Sequence, residues 1–164
     1  MNAILESLVF RKAALKTIEK LQENIRNIKP TSYGSMSNTG TALNSLRYKW
    51  LDKKTISIYS DMPDRDFNYI MTLETGRKPG KWPPRESILK WINERGITPS
   101  GISKESLAFL IARKIGREGS LVYRNGGNTG IISEVQSDRW ITENFLRPLE
   151  KGLKKIIEEE FKTF

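Results

Sequence analysis

The sequence predicts an α+β fold, and three observations lead there. Apolar residues recur at helical steps near both ends, two short central segments read as strands, and a pair of helical stripes follows a proline-rich arm. Over residues 1–28, Ile4, Leu8, Ala14, Leu15, Ile18, Leu21, Ile25 and Ile28 return every three or four positions, with Lys12, Lys16, Glu19, Lys20 and Glu23 off that stripe. This spacing predicts one long amphipathic helix. Pro30 stops it, because the residue before a proline is driven away from helical angles. Arg11 interrupts the stripe, so the helix is expected to be covered only partly by its own domain.

Residues 31–40 are nearly all turn formers and predict an exposed loop, in which Gly40 supplies a positive φ ahead of the first strand. Strands are expected over 43–51 and 55–60, joined at Asp52-Lys53-Lys54 as a β-hairpin. Tyr69, Ile70 and Leu73 then share one face of a two-turn helix over 67–74 that Gly76 ends.

The arm over 77–84 holds three prolines, which remove donors and fix backbone angles, together with Arg77, Lys78, Lys81 and Trp82. Pro84 suits a first helical position, and Ile88, Leu89 and Ile92 form one helical face up to Gly96. Ser103 caps a second helix with Leu107, Leu110, Ile111 and Ile115 on its buried side, ending at Gly116 or Gly119. Residues 121–124 and 131–135, across a glycine-rich connection, read as a second hairpin. Leu146, Leu149, Leu153, Ile156, Ile157 and Phe161 define a C-terminal helix. The expected organisation is a single domain over 1–164, with 76–119 as a helical insertion that begins in the basic, proline-rich arm.

The chain has no cysteine and no histidine. Disulfides, Ser-His-Asp and Cys-His catalysis and the common zinc sites are thereby excluded, since each needs a thiolate or an imidazole. Carboxylates, lysine or an oxygen-bound metal remain as the only catalytic possibilities. Asp61, Asp64 and Asp66 are the densest acidic run, but they lack the glycine and terminal glutamate of a calcium loop and read as a solvated turn. Glu74, alone near a helix end, reads as an ion-pair or cap partner. The glycines after residue 115 match no phosphate-cradling spacing. No cofactor and no metal site is expected, and neither is enzymatic activity.

Lysine and arginine number 28 against 19 acidic residues, a formal charge of +9 that will attract polyanions. Residues 1–60 carry +6 of it, from ten basic and four acidic side chains. No recognition helix or zinc finger is legible, so non-specific, salt-sensitive contact with DNA is the expectation. The sequence offers no membrane-spanning stretch and no signal-peptide core, which predicts a soluble protein made in a cytoplasm.

Two patches carry a family resemblance. Thr39-Gly40, then Leu43, then Ser45-Leu46 resembles the signature that opens the first strand of bacteriophage head-to-tail joining, or tail-completion (neck), proteins. Tyr69-Ile70, Leu73-Glu74 and Gly76-Arg77 is similar to the same family's next conserved segment, although Ile70 stands where the family usually has alanine. Phe145-Leu146-Arg147-Pro148 resembles the family's approach to its C-terminal helix, and Lys78-Pro79-Gly80, Pro83-Pro84, Trp91 and 107–115 resemble an insertion that some members carry. The match over 121–136 is weak.

The resemblance implies a structural virion protein. It would form a homo-oligomeric ring at the portal-to-tail junction, beside portal or adaptor and tail proteins and around packaged DNA, after assembly in the bacterial host cytoplasm. The alternative reading is a basic, non-specific nucleic-acid-binding module. Arg77, Lys78, Lys81 and Trp82 are the expected docking residues: the stiff arm presents a large apolar anchor with a charged rim, outside the subunit's own core. The competing reading has Trp82 folded back under the Ile88 helix.

Overall fold

A computed structural model describes residues 3–29, 40–53, 55–62 and 69–161. The fold is α+β, mostly helical, with a long first helix, a two-stranded antiparallel sheet and a long C-terminal helix. In chain order it runs α1 (Ala3–Asn27), α2 (Thr41–Asn44), β1 (Leu46–Asp52), β2 (Thr55–Ser60), α3 (Tyr69–Thr75), α4 (Arg85–Glu94), α5 (Lys104–Glu118), α6 (Leu121–Arg124), α7 (Asp138–Ile141), a π-helical turn (Thr142–Leu146) and α8 (Arg147–Phe161).

Helix α1 is the spine, and its buried seam keeps Ala14, Ile18, Leu21, Ile25 and Ile28 of the expected stripe but departs from it elsewhere. Val9, Ala13, Ala14, Leu21 and Ile25 face inward together with the polar Thr17 and Asn24, whereas Leu8 and Leu15 lie exposed on either side of Arg11. The small and polar members of the seam let other elements approach closely. The Trp140 indole N–H donates to the Thr17 hydroxyl (3.2 Å), and the Asn24 amide donates to the Ile131 carbonyl (3.1 Å). The seam therefore holds the C-terminal third of the chain by directional bonds as well as by contact.

Gly40 has φ 72° as expected, but it leads into a helical turn, so the first strand starts at Leu46 and not at residue 43. In that turn Leu43 is buried in the core, and its carbonyl accepts from the Gln22 amide of α1 (2.9 Å). Strand β1 pairs with β2 from Leu46↔Ser60 to Trp50↔Ile56, with a bulge between Trp50 and Asp52. The hairpin base is closed by the Asp61 N–H donating to Ser45 O (2.8 Å) and by the Ser45 and Ser60 hydroxyls, 2.8 Å apart.

The second hairpin is absent. Residues 121–124 form the helical turn α6, capped by the Ser120 hydroxyl, and 131–136 are successive turns; among the described residues β1 and β2 are the only strands. The apolar run that suggests a strand here, Ile131, Ile132 and Val135, enters the main core with Leu21, Ile25, Leu43, Leu46, Ile70 and Leu73. Without a sheet neighbour, its backbone groups need side-chain partners. Glu74 is one: its Oε2 accepts from the Ile132 N–H (2.9 Å) and from the Thr129 hydroxyl (3.0 Å), while its backbone carbonyl accepts the Thr129 N–H (3.2 Å). Asn24 is the other, on the Ile131 carbonyl.

The C-terminal helix begins earlier than expected, at Asp138. A wide turn interrupts it, with the Arg147 N–H reaching back to the Thr142 carbonyl. Pro148 accounts for this: it has no N–H, and in a regular helix its ring would strike the carbonyl four residues earlier, so the preceding turn opens.

Two predictions follow from this packing. Glu74→Ala leaves the Ile132 N–H buried without an acceptor and should cost about 1–3 kcal/mol in urea unfolding, with Glu74→Gln, which keeps an acceptor oxygen, losing less. The Lys20 ammonium bridges Glu134 and Glu23, both at 3.2 Å, and these bonds, Glu134 first, outweigh desolvation and raise its pKa above 10.5. A raised cation pKa stabilises the fold below the unfolded value and loses that contribution as pH climbs through the folded one. The stability gap between the native chain and Lys20→Met should accordingly narrow as pH is taken above 10.5.

Candidate interaction surfaces

The arm and the helical pair form one unit whose ends are pinched together. The Arg77 N–H donates to the Ser120 hydroxyl (2.9 Å), and the Ser120 N–H donates back to the Arg77 carbonyl (2.8 Å). Gly76 makes this junction possible: at φ 73° its Cα lies so close to α6 that a Cβ would sit 2.3 Å from the Tyr123 nitrogen. Pro84 precedes the first turn of α4 and does not enter it, whereas Ser103 caps α5 as expected, accepting from the Ser106 N–H (3.1 Å). The two helices pack through Ile92, Ala108 and Ala112, all buried.

The arm is not free of the subunit, nor does Trp82 fold under α4. The Gly80 N–H donates to the Gly116 carbonyl (2.8 Å), Pro83 is buried, and the indole rests on α5 at Gly116. A Cβ at Gly116 would lie 2.1 Å from Trp82 Cδ1, so only glycine leaves the ring its seat. Phe109, one stripe along α5, meets the indole edge-on at 5.9 Å, and the Arg85 guanidinium lies 5.6 Å from the Phe109 ring centre. Trp82 nevertheless remains 47% exposed. Of the expected docking residues, Lys78 and Lys81 are exposed, Arg77 is half-buried with its guanidinium on the Lys81 carbonyl (3.1 Å), and all belong to this one face.

A second surface went unrecognised in the sequence. Between α1 and the C-terminal helix an open groove of ≈ 360 Å³ is lined wholly by Val9, Phe10, Ile141, Phe145, Leu146 and Leu149. Phe10 anchors it, 6.0 Å from Phe145 and 6.2 Å from Trp50. Leu146 is 55% exposed at its lip. The available signal was the Phe-Leu-Arg-Pro sequence itself, whose proline opens the helix and changes which way Phe145 and Leu146 face.

Asp61 is exposed, and Asp64 and Asp66 lie outside the described residues. Among the described residues no three metal-ligating side chains cluster, and no helix is long and apolar enough to cross a membrane. Comparison with known protein families, with curated proteins and with solved structures finds no match to this chain.

Replacing Gly116 with alanine should unseat the indole. The expected outcome is a folded protein about 1–3 kcal/mol less stable, with red-shifted tryptophan emission, and a Trp82→Ala background should abolish the emission change.

Proposed function

We propose that this chain is a structural subunit of a bacteriophage particle, forming a homo-oligomeric ring at the head-to-tail junction and acting by assembly, not turnover. The observation that carries this reading is the apolar groove with its exposed Leu146 lip on the face made by α1 and the C-terminal helix. A ring is closed by heterologous contacts, in which one face of each copy meets a different face of the next, so apolar side chains must remain uncovered in the isolated subunit. The resemblance of residues 39–46, 69–77 and 145–148 to neck proteins supports the same assignment. Its Leu-Glu-x-Gly portion has a physical rationale in this fold, since Glu74 holds the 129–132 segment and Gly76 admits α6. A freestanding nucleic-acid-binding module would account for the charge but would leave the groove without a purpose.

Electron microscopy of purified particles should place the protein in a ring below the portal, and its absence from particles would sink the reading. Leu146→Glu, a change at an exposed position, should alter subunit stability by no more than about 0.5 kcal/mol and yet prevent incorporation into particles.

A further inference from the structure

The insertion is one of two positively charged stretches of this chain. Within 76–119, ten basic side chains stand against four acidic ones, a net +6 equal to that of residues 1–60. The acidic minority is partly spoken for, with Glu118 paired to Arg124 at 3.3 Å and Glu94 to Lys90 at 3.9 Å. By contrast, among the described residues Lys78, Lys81, Arg85, Arg113 and Arg117 form no ion pair. These five surround one aromatic feature. Lys78 and Lys81 flank Trp82 on the arm, and Arg85 stands on Phe109, the ring that meets the indole. Arg113 follows Phe109 by four residues, one helical turn, and so borders the strip of α5 on which the indole rests, while Arg117 lies exposed one further turn along from Arg113.

The seat fixes the indole without covering it. A glycine below, Phe109 at one edge and Pro83 buried alongside hold the ring in one place, and nearly half of its surface stays open. An aromatic ring held open among unpaired cations suits a chain that carries a phosphate at each unit and a flat apolar face between phosphates. An acidic protein segment would match the charges but has no such repeated flat face. A duplex hides its base faces in its own stack and would use only the cations.

We propose that this surface binds single-stranded nucleic acid, with an unpaired base stacked on Trp82 and the backbone phosphates held by Lys78, Lys81, Arg85, Arg113 and Arg117. The proposal is independent of the assembly reading, because it concerns the subunit in solution.

The test uses the full chain with fluorescein-labelled oligothymidylate of about 15 nucleotides and a random duplex of equal length, by anisotropy between about 50 and about 200 mM salt. The native chain should prefer the single strand and weaken steeply with salt, and oligothymidylate should quench its tryptophan emission. Trp82→Ala should lower affinity for the single strand roughly tenfold and leave duplex binding nearly unchanged. Lys78→Glu/Lys81→Glu should weaken both ligands and flatten the salt dependence, and Lys12→Glu/Lys16→Glu, an equal charge change on α1, should do neither. If Trp82→Ala proves unfolded by circular dichroism, the comparison of the two double variants, at exposed positions, decides the matter. Equal affinity of the native chain for duplex and single strand overturns the proposal, as does equal damage from the two double variants. A folded Trp82→Ala chain that keeps full oligonucleotide affinity but fails to enter particles overturns it too, and assigns the surface to a protein partner. Absence of the native protein from particles, by contrast, bears on the ring alone.

Discussion

Much of the structure hangs on how one irregular segment is received into the core. Residues 129–132 bring Ile131 and Ile132 inside without the ladder that a strand would supply, so each inward backbone group needs an individual partner. The Glu74 carboxylate meets the segment from α3 and the Asn24 amide meets it from α1, on the N–H of one isoleucine and the carbonyl of its neighbour. A buried carboxylate is tolerated here because it accepts two hydrogen bonds, and its removal would cost more than the bonds are worth in water. The elements that carry these two side chains, α1 and α3, are thereby fixed relative to each other through a third piece of chain.

The same device explains which parts of the fold were readable in advance. Helix α1, the β1–β2 hairpin, α3, α4, α5 and the C-terminal helix announce themselves through periodicity and caps, and Ser103, Gly40 and Gly96 take the roles their chemistry suggests. What periodicity could not convey was the rotation of α1. An apolar stripe counts Leu8 and Leu15 as core, whereas the true seam admits Thr17 and Asn24 because both have partners waiting across it. Nor could it separate a short apolar run that pairs from one that docks by side chains. Val122 and Tyr123, or Ile131 and Ile132, are equally good strand formers, and the distant Glu74 and Ser120 decide otherwise.

The interaction surfaces were legible to different degrees. The arm stands out through its prolines, its tryptophan and its cations, but its attachment depends on Gly116, a residue that reads in sequence only as a helix end. The groove depends on the wide turn before Pro148, where one bond from Arg147 to Thr142 replaces the regular pattern and reorients an aromatic and a leucine. Two small backbone features thus shape these two surfaces.

The pinch between Arg77 and Ser120 has a topological consequence. These residues lie 43 positions apart in sequence yet exchange two hydrogen bonds, so the intervening arm and helical pair form a closed loop hung from a single point. Closing a loop costs entropy that grows only with the logarithm of its length, which makes such an appendage cheap to lengthen, shorten or lose. The body of the protein, from α1 through α3 and onward from α6, is in this sense continuous across the pinch. Its evolution and that of the appended lobe are free to proceed at different speeds.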